Sequence, residues 1–206
     1  MKSGFKVASV VLLAGALLLL AQVPRENFGL TILLFSLAFG GMLGSFLLAG
    51  EEVNFKRLLL LGIVLRGCLF FFEPNWSEDG ARFLWDGELL RQGQNPYGLT
   101  PTQVQEQQGE GSGFSAHLFQ KLNSPNYYSV YPPINQAFFW IGAWVAQGSV
   151  AQGYFALRCM LLLGEIGVFY LLWGLLVRFQ LPGKQILLYW FNPLVILEVV
   201  GNLHFE

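Results

Sequence analysis

Charge is what this chain has least of. Asp, Glu, Lys and Arg make up 12% of 206 residues, where a soluble domain carries about 25%. The 12 basic and 13 acidic side chains leave a net charge of −1, so the basic excess that marks a nucleic-acid binder is missing. Cysteine is scarce as well. Cys68 and Cys159 both lie in apolar runs, which excludes a disulfide framework and reads as two small hydrophobes. There are only two histidines. His117 stands in a polar stretch with no evident partner, which leaves His204 as the one imidazole of interest.

What is present is apolar. Hydrophobic residues reach 54% and mean hydropathy is +0.49. The expectation is an all-α integral membrane protein with about five to six transmembrane helices. An external loop would carry a short interfacial amphipathic helix. A crossing helix needs about 20 apolar residues, and five segments come close: 7–23, 28–49, 55–72, 157–177 and 184–200. A sixth, 134–150, is wetter, with Asn135, Gln136 and Gln147. The 24 glycines suit close helix contact in a bilayer. Lys2 and Lys6 before the first run resemble a signal peptide, but Leu19-Leu20-Ala21 lacks the small-x-small cleavage pattern. The run therefore reads as a retained helix. The organisation expected is two N-terminal membrane helices over 1–54, then a core portion over 55–206 with an external loop 73–133 and membrane helices 134–200.

Lys and Arg set orientation. Lys2 and Lys6 put the N-terminus inside, and Lys56 and Arg57 return to that side after two crossings. The third run ends at Glu73, so loop 73–133 is external. It holds seven acids and three bases, in keeping with that face. Arg178 and Lys184 then flank a connection that reads as internal. This fits best if 134–150 is partial, re-entrant or interfacial rather than a full crossing. Gln136, Trp140, Trp144 and Gln147 recur there at helical spacing, giving one polar-aromatic side.

The loop carries the chemistry. Ser77 is a plausible N-cap, with Glu78 and Asp79 in a first turn. A helix from there to about Arg91 puts Asp79, Arg82 and Asp86 on one face. Trp76 and Trp85 would sit at headgroup depth. One reading of the acids is dipole complementation. The other is a general base beside a membrane-bound substrate. Arg66, inside the third run, costs at least about 2.5 kcal/mol to place in a bilayer. It meets an anionic ligand headgroup, snorkels to the interface, or pairs with one of the intramembrane acids, Glu165 or Glu198. Tyr131-Pro132-Pro133 opens the next helix. His204-Phe205-Glu206 sets two metal-capable side chains two residues apart, with Mg²⁺ or Mn²⁺ the ions such donors suit.

Together these pieces resemble a family. The order Arg66, then Ser77-Glu78-Asp79-Gly80-Ala81-Arg82-Phe83-Leu84-Trp85-Asp86-Gly87, then Gly93-Gln94-Asn95-Pro96-Tyr97, then Tyr131-Pro132-Pro133 is similar to bacterial multi-spanning glycosyltransferases of the GT-C class. The mannosyltransferase-like members are the nearest. Asn192-Pro193 through Glu198 and Gly201-Asn202-Leu203-His204-Phe205-Glu206 resemble their second motif. The resemblance covers roughly 66–206 and departs at Phe83, where relatives carry Tyr.

The resemblance implies sugar transfer, with mannose the sugar indicated, from a polyprenyl-phosphate-linked donor. The acceptor would be a glycan, lipid or protein at the external face of the cell envelope, in a bacterial plasma membrane. It implies Asp79 as catalytic base with Glu78 beside it. It places Arg66, Arg82, Asp86, Asn95, Tyr97 and Tyr131 with substrate, and His204 and Glu206 with a divalent metal or the donor phosphate. The chain stops directly after the second motif, where relatives continue through further spans, so an N-terminal portion of such an enzyme is expected. The alternative is a non-catalytic membrane module that binds a lipid headgroup or a protein through loop 73–133.

Overall fold

A computed structural model describes residues 2–108 and 114–205. Among the described residues the secondary structure is entirely helical, as expected. The helices are α1 (Lys2–Leu20), α2 (Phe28–Leu48), α3 (Phe55–Gly67), α4 (Gly80–Arg91), α5 (Pro101–Gln108), α6 (Phe114–Gln120), α7 (Pro133–Ala146) and α8 (Val150–Arg178), followed by short pieces α9 (Leu187–Trp190) and α10 (Pro193–Val195). The chain divides into two compact units. Unit 1 is Met1–Trp76 with Leu161–His204, and unit 2 is Ser77–Met160 with Phe205–Glu206.

In unit 1, α1 and α2 pack closely. A methyl group on Gly41 would meet the backbone of Ser9 and Leu13 at 2.7 Å, so the absent side chain there is what lets the two backbones approach. Asn27 and Asn54 cap α2 and α3, accepting from Leu30 N at 3.4 Å and Arg57 N at 2.9 Å, each filling one of the orphan donors of a helix start. Leu13, Leu17, Leu20, Leu34, Ala38, Phe169 and Trp190 form the core.

Among the described residues two helices, α2 and α8, are long and apolar enough to cross a membrane, and Gly4–Leu20 of α1 is a shorter apolar helix. That is fewer than the five to six runs had promised, and the reasons are local. The run 55–72 makes only 13 residues of α-helix before tightening into a 3₁₀ turn at Cys68–Phe71. The run 134–150 makes 14 residues and stops at Gln147, in the left-handed region. The run 184–200 is broken. After α9, Asn192 turns extended (ψ 118°) and its side chain caps the next turn, accepting from Leu194 N at 3.0 Å. Pro193 has no N–H with which to continue the ladder, and the chain then widens into a π-helix over Ile196–Gly201. The 29-residue α8 absorbs 157–177 and starts well before it. Only 11% of its apolar window is buried, so its surface is not that of a helix sunk in a soluble core.

In unit 2, α4 is overlaid by α7. A methyl on Gly87 would fall 2.0 Å from the carbonyl oxygen of Phe139. The glycine of the Trp85-Asp86-Gly87 segment is thus a packing requirement. The expected amphipathic helix on the membrane surface is not what forms. Every residue from Gly80 to Leu89 is buried, Trp85 to 5% exposure. A helix covered on all sides has no solvent face to pattern, and Trp85 does not stand at an interface. The helix also starts later than expected, at Gly80. Ser77 Oγ accepts from Asp79 N at 3.3 Å rather than from the second or third helical residue.

Candidate functional site

The acids of unit 2 fall into two groups. Asp86, in the middle of α4, is wholly buried and fully engaged. Arg82 Nε donates to its Oδ1 at 2.7 Å, and Ser129 Oγ and Gln136 Nε2 both donate to its Oδ2, the latter at 3.1 Å. Gln136 Nε2 also donates to Ser129 Oγ at 2.8 Å. Arg82 Nη1 donates to the carbonyl of Tyr127 at 2.9 Å. A buried charge persists only when paired and hydrogen-bonded, and here the pairing ties the 127–131 strap to α4 and α7. Glu88 is likewise spent, accepting from Arg91 Nε and Nη2 at 2.7 Å each and from Gln92 at 2.9 Å.

Asp79 differs. It is half-buried at the N-cap position of α4, and among the described residues its carboxylate has no hydrogen bond or ion pair. Its backbone carbonyl starts the helix by accepting from Phe83 N at 3.0 Å. The helix N-terminus favours negative charge there. Glu78 is exposed.

Asn95-Pro96-Tyr97 follows α4 as an Asx turn, with Asn95 Oδ1 accepting from Tyr97 N at 3.0 Å. Tyr97 donates its hydroxyl to the carbonyl of Tyr131 at 2.6 Å. Partial burial, with the nearby Asp86 charge, pushes the Tyr97 phenol above its ordinary range, and the Gln136 amide opposes this. The ring of Tyr131 joins Phe83, Phe139 and Phe205 in one aromatic cluster, with centroid separations of Phe83 of 5.0, 4.4 and 5.4 Å. Phe83 therefore stands among rings, where a hydroxyl would need a partner of its own. An open groove of about 700 Å³ lies beside this cluster, lined by Leu90, Asn95, Tyr97, Gln136 and Trp140 among others.

In unit 1, Arg66 is fully buried. Its Nη2 donates to Glu165 Oε2 at 2.9 Å, its Nη1 to the carbonyls of Trp190 (3.0 Å) and Gly62 (3.2 Å), and the guanidinium lies 3.9 Å over the Trp190 ring. Tyr189 donates to the other oxygen of Glu165 at 2.7 Å. Of the partners the sequence left open for Arg66, Glu165 is the one found.

The second motif folds on itself. Asn202 Nδ2 donates to Glu198 Oε1 at 3.3 Å, Glu198 Oε2 lies 3.6 Å from His204 Nδ1, and Asn202 Oδ1 accepts from Trp76 N at 3.3 Å. Trp76 and Asn75 also donate to the carbonyls of Val23 and Ala21. Glu206, the other half of the expected metal pair, lies outside the described residues. No cluster of three His, Cys, Asp or Glu groups occurs among the described residues.

Helical spacing puts Gln136, Trp140, Trp144 and Gln147 on one polar-aromatic side, but that side is not uniform: Gln136 is 4% exposed while Trp140 and Trp144 are 45% and 60% exposed. Neither the role of Ser129 nor the pairing of Glu198 with His204 was legible in the sequence. The available signal for Gln136 was its place three residues before Phe139 and seven before Ala143, on the buried stripe of α7.

Residues 3–206 match the family described as alpha-(1->6)-mannopyranosyltransferase, N-terminal domain. No curated protein and no solved structure matches the chain.

Proposed function

The chain belongs to the alpha-(1->6)-mannopyranosyltransferase family, whose N-terminal domain it matches from residue 3 to 206, and on that premise we propose that it serves mannosyl transfer with Asp79 as the general base. The observation that carries this reading is the contrast among the acids of unit 2. Asp86 and Glu88 are consumed by hydrogen bonds and ion pairs, while the Asp79 carboxylate is half-exposed and unpartnered among the described residues. A base must be free to take its proton within about 2.6–3.2 Å.

In the proposed step an acceptor hydroxyl attacks the anomeric carbon of a polyprenyl-phosphate-linked mannose. The bond to the phosphate oxygen breaks, the lipid phosphate leaves with the electron pair, and the hydroxyl proton passes to Asp79. One displacement inverts the anomeric centre. The lipid-borne donor accords with the apolar, little-buried surface of α8 and with α2, which give the chain helices able to cross a bilayer. The multi-pass arrangement, with the 73–133 segment on the external side of a bacterial plasma membrane, belongs to this proposal. So does the reading of His204 with Glu206 as donors to a metal or to the donor phosphate.

The test is Asp79→Asn in the full-length protein in lipid, assayed with polyprenyl-phosphate mannose. Loss of at least about a hundredfold in turnover, the scale of an absent general base, with unchanged helicity and thermal midpoint, is the expected result. Unchanged transfer would sink the assignment. If binding to a lipid headgroup or partner depends on the 73–133 segment while Asp79→Asn is silent in every assay, the chain is a non-catalytic module instead.

A further inference from the structure

We propose that the groove between the Gly93–Tyr97 turn and α7 is a binding site for a neutral oligosaccharide, and that within the transfer reading, on which this role rests, it seats the carbohydrate acceptor rather than the phosphate-bearing donor. The groove is open and offers about 700 Å³, a volume within the usual range of about 300–1,000 Å³ for ligand pockets. Its lining runs from Leu90 and the Gly93–Tyr97 turn to Gln136 and Trp140 of α7, and none of the lining side chains carries a formal charge.

The neutrality extends well beyond the lining. No Asp, Glu, Lys or Arg occurs between Lys121 and Arg158, so the whole α7 wall offers no counter-ion. Below it Asp86 is matched by Arg82 at 2.7 Å, and Arg91, next to Leu90, is paired with Glu88 at 2.7 Å. The lining itself offers a phosphate or pyrophosphate group no cation.

Three amides and two rings remain. Tyr97 and Trp140 are 38% and 45% exposed, broad faces on which the C–H side of a sugar ring can lie. Gln94, Asn95 and Gln136 supply planar amide groups, which both donate and accept. Gln136 forms part of the floor, held in place by its Nε2 hydrogen bonds to Asp86 and Ser129. Sugar hydroxyls both donate and accept, so they can answer the amides of the Gly93–Tyr97 turn while a ring face lies on Tyr97 or Trp140. An alkyl chain would cover the rings but strip water from those amides without replacing its hydrogen bonds.

The experiment is saturation-transfer NMR on the full chain in lipid nanodiscs, with α-(1→6)-linked mannotetraose as probe and a straight-chain alkanol as competitor. Transfer kinetics are measured in parallel. Saturable binding is expected, weakened about tenfold or more in Trp140→Ala, the scale of a lost aromatic anchor, weakened also in Gln94→Ala, and kept in Trp140→Phe. The acceptor KM should rise in Trp140→Ala while the donor KM stays. No binding by the wild type, binding indifferent to both alanine variants, or displacement by the alkanol would each overturn the groove assignment. If the glycan binds as expected but no transfer occurs, the catalytic reading fails and the groove stands. If transfer proceeds with an unchanged acceptor KM in Trp140→Ala, the groove fails and the catalytic reading stands.

Discussion

Arg66 and Glu165 are 99 residues apart in the chain and 2.9 Å apart in space, with side chains 0% and 5% exposed. The pair fastens α3 to α8, and through Tyr189 and the carbonyl of Trp190 it also holds the short α9 piece. A buried, hydrogen-bonded charge pair is far harder to halve than to replace whole.

Glu165→Ala is therefore expected to cost about 3–5 kcal/mol, the usual penalty for stranding one member of a buried pair. The double variant Arg66→Met/Glu165→Leu should recover most of that loss. Thermal unfolding in detergent reads both. A double variant as unstable as the single would show that the pair's partners, and not its charges, set the stability.

Asp86→Ala leaves the buried Arg82 guanidinium without its carboxylate and frees Ser129 and Gln136. The first effect should appear in the 127–131 strap. Limited proteolysis near the exposed Tyr127 and Tyr128 is expected to accelerate. Ser129→Ala, which removes the hydrogen bond to Asp86 and the one from Gln136, should cost only about 2 kcal/mol, about 1 for each bond. Equal proteolysis rates in wild type and Asp86→Ala would contradict the tether.

Glycine substitutions separate packing from conformation. Gly87→Ala drives a methyl against the Phe139 carbonyl, while a methyl at Gly164 meets nothing within 4 Å. The first is expected to lose about 1–3 kcal/mol or more by overpacking. The second should be neutral or gain up to about 1 kcal/mol from the helix preference for alanine. Chemical denaturation of both variants checks the contrast. A reversed order would mean that α4 and α7 do not approach as described.

Tyr97 should titrate late. Burial, and then the Asp86 charge, hold its phenol above the ordinary value of about 10. The folded state thus keeps its proton longer than the unfolded chain does. The stability this contributes is present below pH of about 10 and is lost as pH rises through the raised value. The difference in phenolate absorbance between wild type and Tyr97→Phe gives the titration directly. A midpoint at or below the ordinary value would refute the environment described for the ring.

The scarcity of charge and the apolar runs settled by themselves that the chain is helical, because a backbone without many polar side chains must satisfy its own N–H and C=O groups. The order of motifs settled its family. The i, i+4 spacing of Arg82 and Asp86 was legible because it needs only one turn of one helix. The tertiary structure decided what composition cannot express. Apolar runs do not show where a ladder breaks, so Asn192-Pro193 and Cys68 cut two expected spans into shorter pieces. A helix has an amphipathic face only if one side is left uncovered, and the packing of α7 over Gly87 removed that side from α4. Which acids remain free is a question of partners far along the chain. Ser129 and Gln136 claim Asp86 across 43 and 50 residues, while none of the described residues claims Asp79, and no local spacing carries that difference.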